Sequence, residues 1–380
     1  MILTKEVSRL VDKQEMLGVG DIALGPDPDD YFQHVLPLLH SADVRVGQLE
    51  VPYTLRHPQA ANLGRDPNIL QTLVKCDFDV LTLAGNHIVD AGVEGIEDTM
   101  SWLKDKGINT VGAGMNIQEA RRSVVIERNG LKYGFLDYNC VGPMETWATM
   151  EKPGCAYVGI QEHYEPLFAS PGSSPVVKTW ADHHTLKGML QDIQLLRPQC
   201  DVLVVNLHKG VGHTRAKIAD YEFEITHAAI DAGADTIFSH HAHILKGIEV
   251  YKGKTIYHGL CNFATYIPPN AFDSGHLPKG WAEKRKKLFG FEPDPEYPTY
   301  PFHPEARYTI IASCQIESGT IVNTGFYPCI INKKGHPVVV SRHDGGQEVL
   351  DYMSEITREA ELKTTFYWES DTFIGITEGE

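Results

Sequence analysis

Seven side chains of types that bind metals or move protons stand at the ends of short apolar runs: Asp21, Glu50, Asn86, His87, His208, His241 and His243. Two carboxylates, an amide oxygen and several imidazoles, with no cysteine, form a mixed oxygen and nitrogen set. Such a set suits Zn, Mn or Fe(II) and is too nitrogen-rich for a dedicated Ca or Mg cage. A single catalytic zinc needs three protein ligands and an open position. Six donors exceed that and point to two cations, which together activate water and clamp the attacking and leaving oxygens. Each residue alone also has an ordinary reading. Asp21 could cap a helix, Glu50 could be a solvated strand end, and His208 could be a hydrogen-bonded core histidine. His241 and His243 form the stronger pair, because alternate positions on an extended segment face the same way. Five such coincidences at five strand ends favour one shared site.

The elements that would position these residues are legible as apolar runs bounded by turn residues. They are residues 16–20 before Asp21, 44–49 before Glu50, 79–84 before Gly85-Asn86-His87, 202–207 before His208, and 235–239 before His240-His241. Runs of this length, rich in Val, Leu and Ile, read as strands buried on both faces. Helical patterns lie between them. One starts at Asp27-Pro28 with a capping carboxylate and runs through residues 31–39. Others span 94–106 closed by Gly107, 186–196, and 218–232 closed by Gly233. Strand and helix alternation predicts an α/β layered fold, in which ligands bind beyond the carboxyl ends of the strands. Within residues 122–137 an Arg128-Asn129-Gly130 turn signals an antiparallel hairpin. Residues 139–175 and 262–308 are long, irregular and rich in proline and aromatics, as lids or binding elements are. From about residue 310, strands and then a helix over 346–360 follow.

Composition narrows the function classes. The 380 residues carry 34 basic and 50 acidic side chains, a formal charge of −16. That sign disfavours nucleic acid and anionic lipid as partners. No apolar run approaches the ~20 residues of a membrane span, and the first seven residues lack a leader's charged-then-apolar layout. The seven cysteines are scattered, with no C-x-x-C pair. A cytoplasmic protein without a membrane anchor is the expectation. The basic block Lys284-Arg285-Lys286-Lys287, with Lys279 nearby, reads as a solvated face or a clamp for an anionic substrate. Trp281, Phe289, Phe291, Tyr297 and Tyr300 stand around it as apolar pocket walls.

Gly20-Asp21, Gln48-Leu49-Glu50, Gly85-Asn86-His87 with Asp90 and Gly92, and His208-Lys209-Gly210 occur in that order. Asp231 to Asp235, His241-Ala242-His243 and Tyr257 to Phe263 follow. Over roughly residues 15–265 this order resembles the CapA, or poly-γ-glutamate capsule synthesis (PGA_cap), family, related to the calcineurin-like metallophosphoesterases. The resemblance implies a four-layer α/β/β/α sandwich with a two-metal site at one edge. It would make Asp21 and His243 ligands of a first metal and Glu50 the bridging carboxylate. Asn86, His208 and His241 would bind the second, His87 would be the general acid, and Asp90 would orient it. His240 would be a spare neighbour or a substitute ligand. Ala23 stands where a second histidine of the first metal is expected, which leaves one or two divalent ions (Mn, Zn or Fe) open.

The resulting expectation is a metal-dependent hydrolase using a metal-bound hydroxide on a small anionic substrate, the bond being a phosphoester, an amide (including γ-glutamyl) or a lactone. The rivals are a non-catalytic component of poly-γ-glutamate synthesis and a nuclease of the same fold. The oligomeric state is left open between monomer and homo-oligomer. One domain over 1–309, including the insertions 139–175 and 262–308, is expected to carry the site, with 310–380 as an extension packed on it.

Overall fold

The computed structural model describes residues 13–58, 60, 63–169, 172–268 and 281–379. The chain lays down β1 (Gln14–Ala23), β2 (Val44–Leu49), β3 (Val80–Thr82) and β4 (Asn109–Val111) side by side and parallel. It then crosses to a second sheet with a hairpin, β5 (Val124–Arg128) and β6 (Leu131–Asn139). The hairpin turn is the expected one, with Asn129 and Gly130 both at positive φ, 47° and 80°. Next come β7 (Val202–Lys209), β8 (Thr236–His241), β9 (Ile248–Tyr251) and β10 (Lys254–Tyr257), giving the order β9-β10-β8-β7-β6-β5.

The chain returns to the first sheet through β11 (Asn262–Thr265), which lies parallel to the end of β1. It continues with β12 (Tyr308–Glu317), β13 (Thr320–Ile331), β14 (Pro337–Val339), β15 (Thr364–Trp368) and β16 (Ile374–Glu378). Strand β12 pairs antiparallel with the first half of β1, so residues beyond 308 complete the sheet that carries Asp21.

Three apolar clusters order the layers. Met16, Val46 and Val80 of the first sheet meet Phe135, Val204 and Phe238 of the second in a central core. Leu17, Val19 and Leu81 point the other way, onto Leu39, Leu73, Ile96 and Leu103 of an outer helical layer. Leu136, Leu203 and Ile237 pack on Met189 and Ile193 of the helix His183–Leu196 and Ile225 of the helix Asp220–Ala232. Alternate residues of each parallel strand therefore feed two cores, as period-2 side-chain geometry requires. The fold is a four-layer α/β/β/α sandwich.

The predicted helix over 31–39 is broken into a 3-10 turn, Pro28–Phe32, and a short helix, Leu36–Ser41. Pro37 lies in the first turn of the second piece, where its missing N–H costs nothing; inside one continuous helix it would remove a hydrogen bond and clash with the preceding turn. Asp27 adopts a left-handed φ of 54° and its side chain makes no cap bond. Asp182 instead caps its helix as such residues do, accepting from Thr185 N–H at 2.9 Å.

Candidate metal centre

The seven candidates converge where the carboxyl ends of the two sheets face each other. Asp21 does not follow the end of β1 as predicted but sits within it, at a bulge. The pairing register with β2 shifts between Val19 and Asp21, and that with β11 shifts just after Asp21. Bulges re-aim a side chain next to active sites. Gly20 makes this one feasible, since a Cβ there would lie 2.1 Å from the Cys261 carbonyl oxygen. The Asp21 N–H donates to that oxygen at 2.9 Å. Glu50 follows β2 directly, as expected.

From the second sheet, His208 ends its run inside β7. His241 and His243 reach the site by a different route from the one predicted. The chain leaves β8 in a turn with positive φ at both residues, 82° and 53°, so it is the turn and not strand alternation that aims both rings. His240 points away: it is buried and its Nε2 pairs with the Val19 carbonyl at 3.1 Å. Burial lowers its pKa to about 4. His240 is a neutral buried histidine whose Nε2 ties the two sheets together, as a spare neighbour of the site.

Two groups of donors result. Asp21, Glu50 and His243 offer ligand atoms that all lie within 4.8 Å of one another. His243 Nε2 is 3.2 Å from Glu50 Oε1, and its Nδ1 donates to Asn262 Oδ1 at 2.7 Å and lies 3.6 Å from Asp21 Oδ2, which fixes the ring with Nε2 facing Glu50. The second group is centred on Asn86 Oδ1, 2.7 Å from His208 Nε2 and 3.3 Å from His241 Nδ1. The His241 N–H donates to Asp21 Oδ2 at 3.2 Å and links the groups.

The electrostatics are those of a site short of positive charge. Burial, and then the neighbouring Glu50 charge, hold the Asp21 carboxyl well above the usual carboxylate range. Burial also opposes the charge on Glu50, but the adjacent His243 outweighs it and lowers the pKa. His243 is raised to about 9: burial is overcome by Glu50 and Asp21. His241 is pushed down to about 3 by burial and by the charge on His243, and His208 is lowered by burial and by the neighbouring His241 and His240.

Divalent cations fit this donor set. Asp21 Oδ1 is buried with no hydrogen-bond partner among the described residues, a cost of about 1–3 kcal/mol that a ligand removes. Hard carboxylate and borderline imidazole donors in one small volume match Zn, Mn or Fe(II). Among the described residues the first cluster is Asp21, Glu50 and His243 alone, with no other residue in place of the histidine expected at Ala23.

His87 stands outside both groups. Its Nδ1 bonds Asp90 Oδ2 at 2.8 Å, and Arg65 lies 3.9 Å from the same oxygen. Burial works against charge on His87, yet the bond to Asp90 and the charges of Asp90 and Glu50 raise its pKa. The ring is therefore oriented, and its protonated form is favoured.

Three further residues escaped the sequence reading. Asn262 orients His243, Arg65 braces Asp90, and Lys209 forms a fully buried pair with Glu222 at 2.7 Å. The only signals were Asn262 inside the Tyr257 to Phe263 motif and Lys209 beside His208. Of the basic block, Lys286 and Lys287 are exposed on the helix Trp281–Phe289, and Lys286 pairs with Glu292. Lys279 and the side chains of Trp281, Lys284 and Arg285 lie outside the described residues, as do residues 1–7. Phe289 and Phe291 pack on His213, which stacks on His243 with ring centroids 5.3 Å apart. Among the described residues no helix is long and apolar enough to cross a membrane. All seven cysteines are unpaired.

Comparison with known proteins agrees with the resemblance. The capsule biosynthesis protein CapA of Bacillus anthracis is 29% identical over 268 residues, covering 66% of this chain and 60% of the relative. The PGA biosynthesis protein CapA of Bacillus subtilis is 28% identical over 263 residues, covering 64% and 61%. The chain thus spans about three fifths of the length of these curated relatives. Among solved structures, a phosphatase from Mycoplasma pneumoniae covers 84% of this chain and 95% of its own at 13% identity, with a TM-score of 0.47. Residues 7–266, well over half of the sequence, match the family described as bacterial capsule synthesis protein PGA_cap. The chain belongs to that family.

Proposed function

We propose that this protein is a metal-dependent hydrolase of small molecules. The observation that carries the reading is the cluster of buried Asp21 and Glu50 with half-buried His243, their donor atoms within 4.8 Å of one another and a carboxylate oxygen left unpartnered. Asp21, Glu50 and His243 would hold one cation and Asn86, His208 and His241 a second, with Glu50 as the carboxylate between them. When bound, divalent cations supply the charge that activates water near neutral pH and polarises the scissile group. Asn262 holds the His243 ring in register. His87, anchored through Nδ1 to Asp90, presents Nε2 and keeps a proton there for the leaving group. Arg65 and His87 place positive charge on this side of the site, where the anionic group expected of the substrate would lie. Seven unpaired cysteines suit the reducing cytoplasm, the compartment favoured from sequence.

The test is hydrolysis of p-nitrophenyl phosphate, p-nitrophenyl acetate and amino-acid p-nitroanilides by protein reconstituted with Mn or Zn. Turnover of at least one class is expected, falling about 10²-fold or more in His87→Ala while bound metal is unchanged. Metal-loaded protein that turns over none of them would favour a non-catalytic part in capsule or PGA biosynthesis, the process that the names of the CapA relatives give. Loss of metal in His87→Ala would show that its role is misassigned.

A further inference from the structure

A cleft of about 1100 Å³ opens beside the centre, and the ligand candidate His241 is part of its wall. The rest of the wall comes from the irregular segment after β6, from an antiparallel hairpin (Ile160–Pro166 with Pro175–Ala181), from the segment after β7, and from the starts of the helices His183–Leu196 and Asp220–Ala232. Trp147 and Tyr157 form an aromatic platform in it, stacked at 4.3 Å with their planes 3° apart. The charged lining is three carboxylates, Glu162, Asp182 and Asp220, against one ammonium, Lys217. Asp182 is committed to capping its helix. The Glu162 carboxylate takes only the Tyr164 hydroxyl, at 3.3 Å, and neither Glu162 nor Asp220 pairs with a described cation.

This lining is wrong for an anionic body and right for a cationic one. A phosphate-rich ligand would meet net repulsion, whereas an ammonium finds aromatic faces and uncommitted carboxylates together. Resting on the hydrolase reading above, we propose that the cleft binds the part of the substrate remote from the bond that breaks, and that this part carries an amine. The substrate class is then a small ammonium-bearing compound of amino-acid or short-peptide type, with its anionic or carbonyl end at Asp21, Glu50 and His87. The centre and the cleft share His241, so one molecule can span both.

Titration calorimetry of the metal-loaded protein with benzylamine, benzyl alcohol and benzoate tests this, the three probes sharing a ring and differing in charge. Benzylamine is expected to bind about tenfold more tightly than the alcohol, with benzoate the weakest. Glu162→Gln alone should shrink the preference, and Glu162→Gln with Asp220→Asn should reduce it to about twofold or less. Trp147→Ala should weaken amine and alcohol alike. Benzoate binding as tightly as benzylamine, or a preference untouched in the double variant, would overturn the proposal. Metal content measured on the same samples separates the two claims. An amine preference in protein that takes up no metal would leave the cleft assignment standing and the hydrolase reading refuted. Bound metal with no amine preference would do the reverse.

Discussion

Strand β7 ends in two neighbouring side chains, His208 and Lys209, that belong to two different clusters of buried charge. Around Lys209 every strong group is matched. Its Nζ reaches Glu222 Oε2 at 2.7 Å and His258 Nδ1 at 3.1 Å, while Glu222 Oε1 accepts the Ala219 N–H at 2.8 Å. His258, lowered to about 4 by burial and by Lys209, is neutral and donates from Nε2 to Glu249 at 2.9 Å. On the His208 side the same depth of burial leaves Asp21 Oδ1 and His208 Nδ1 without partners. Two carboxylates there share one cationic imidazole. Burying charge is costly unless it is paired. The first cluster is complete as the chain folds; the second is left open, as the cation site proposed above would be.

The brace is the place for the largest effect. Lys209→Met, or Glu222→Leu, leaves one buried charge without its partner and should cost about 3–5 kcal/mol in urea unfolding. The double variant should recover most of that loss. If the single variants were harmless, the Lys209 cluster would not be the closed system described.

The open cluster should respond to pH in the opposite sense to proton loading. His243, raised to about 9, holds its extra proton at neutral pH in cation-free protein, and burial beside Glu50 favours a proton on Asp21 as well. Ligation must expel them. Metal affinity should therefore rise with pH toward 9, by about tenfold per pH unit for each proton displaced. Calorimetry in buffers of different protonation enthalpy counts those protons directly. Affinity that does not change with pH would contradict this arrangement.

A smaller effect belongs to Asp137, which accepts the Ala84 N–H at 2.7 Å behind the Asn86-His87 turn. Burial raises its pKa to about 8 against the backbone donors that lower it. Because the folded pKa lies above the unfolded value, its contribution to stability is present at low pH and is lost as pH rises through 8. Between pH 7 and 8 the loss should be about 1 kcal/mol, measured by urea unfolding. Asp137→Asn should remove that slope.

Most of the sandwich was legible because β1, β2, β7 and β8 feed two cores and so read as continuous apolar runs with polar ends. The hairpin was legible because Asn129-Gly130 states its own turn. What failed was local backbone geometry and long-range pairing. The bulge at Gly20 depends on a carbonyl 241 residues away. The left-handed turn at His241 and His243 has no glycine to announce it. Lys209 and Glu222, 13 residues apart, look like ordinary surface charges until β7 and the following helix close over them. The Trp147–Tyr157 platform lies in a segment with no periodicity at all.

The most direct measurement is elemental analysis of the purified protein after dialysis against Mn or Zn, alongside Asp21→Ala and His241→Ala, with folding checked by circular dichroism. One to two ions per chain in the parent, falling toward zero in both variants while the fold persists, is the expected result. No bound metal in the parent, or metal retained in both variants, would contradict the assignment of this cluster as a cation site.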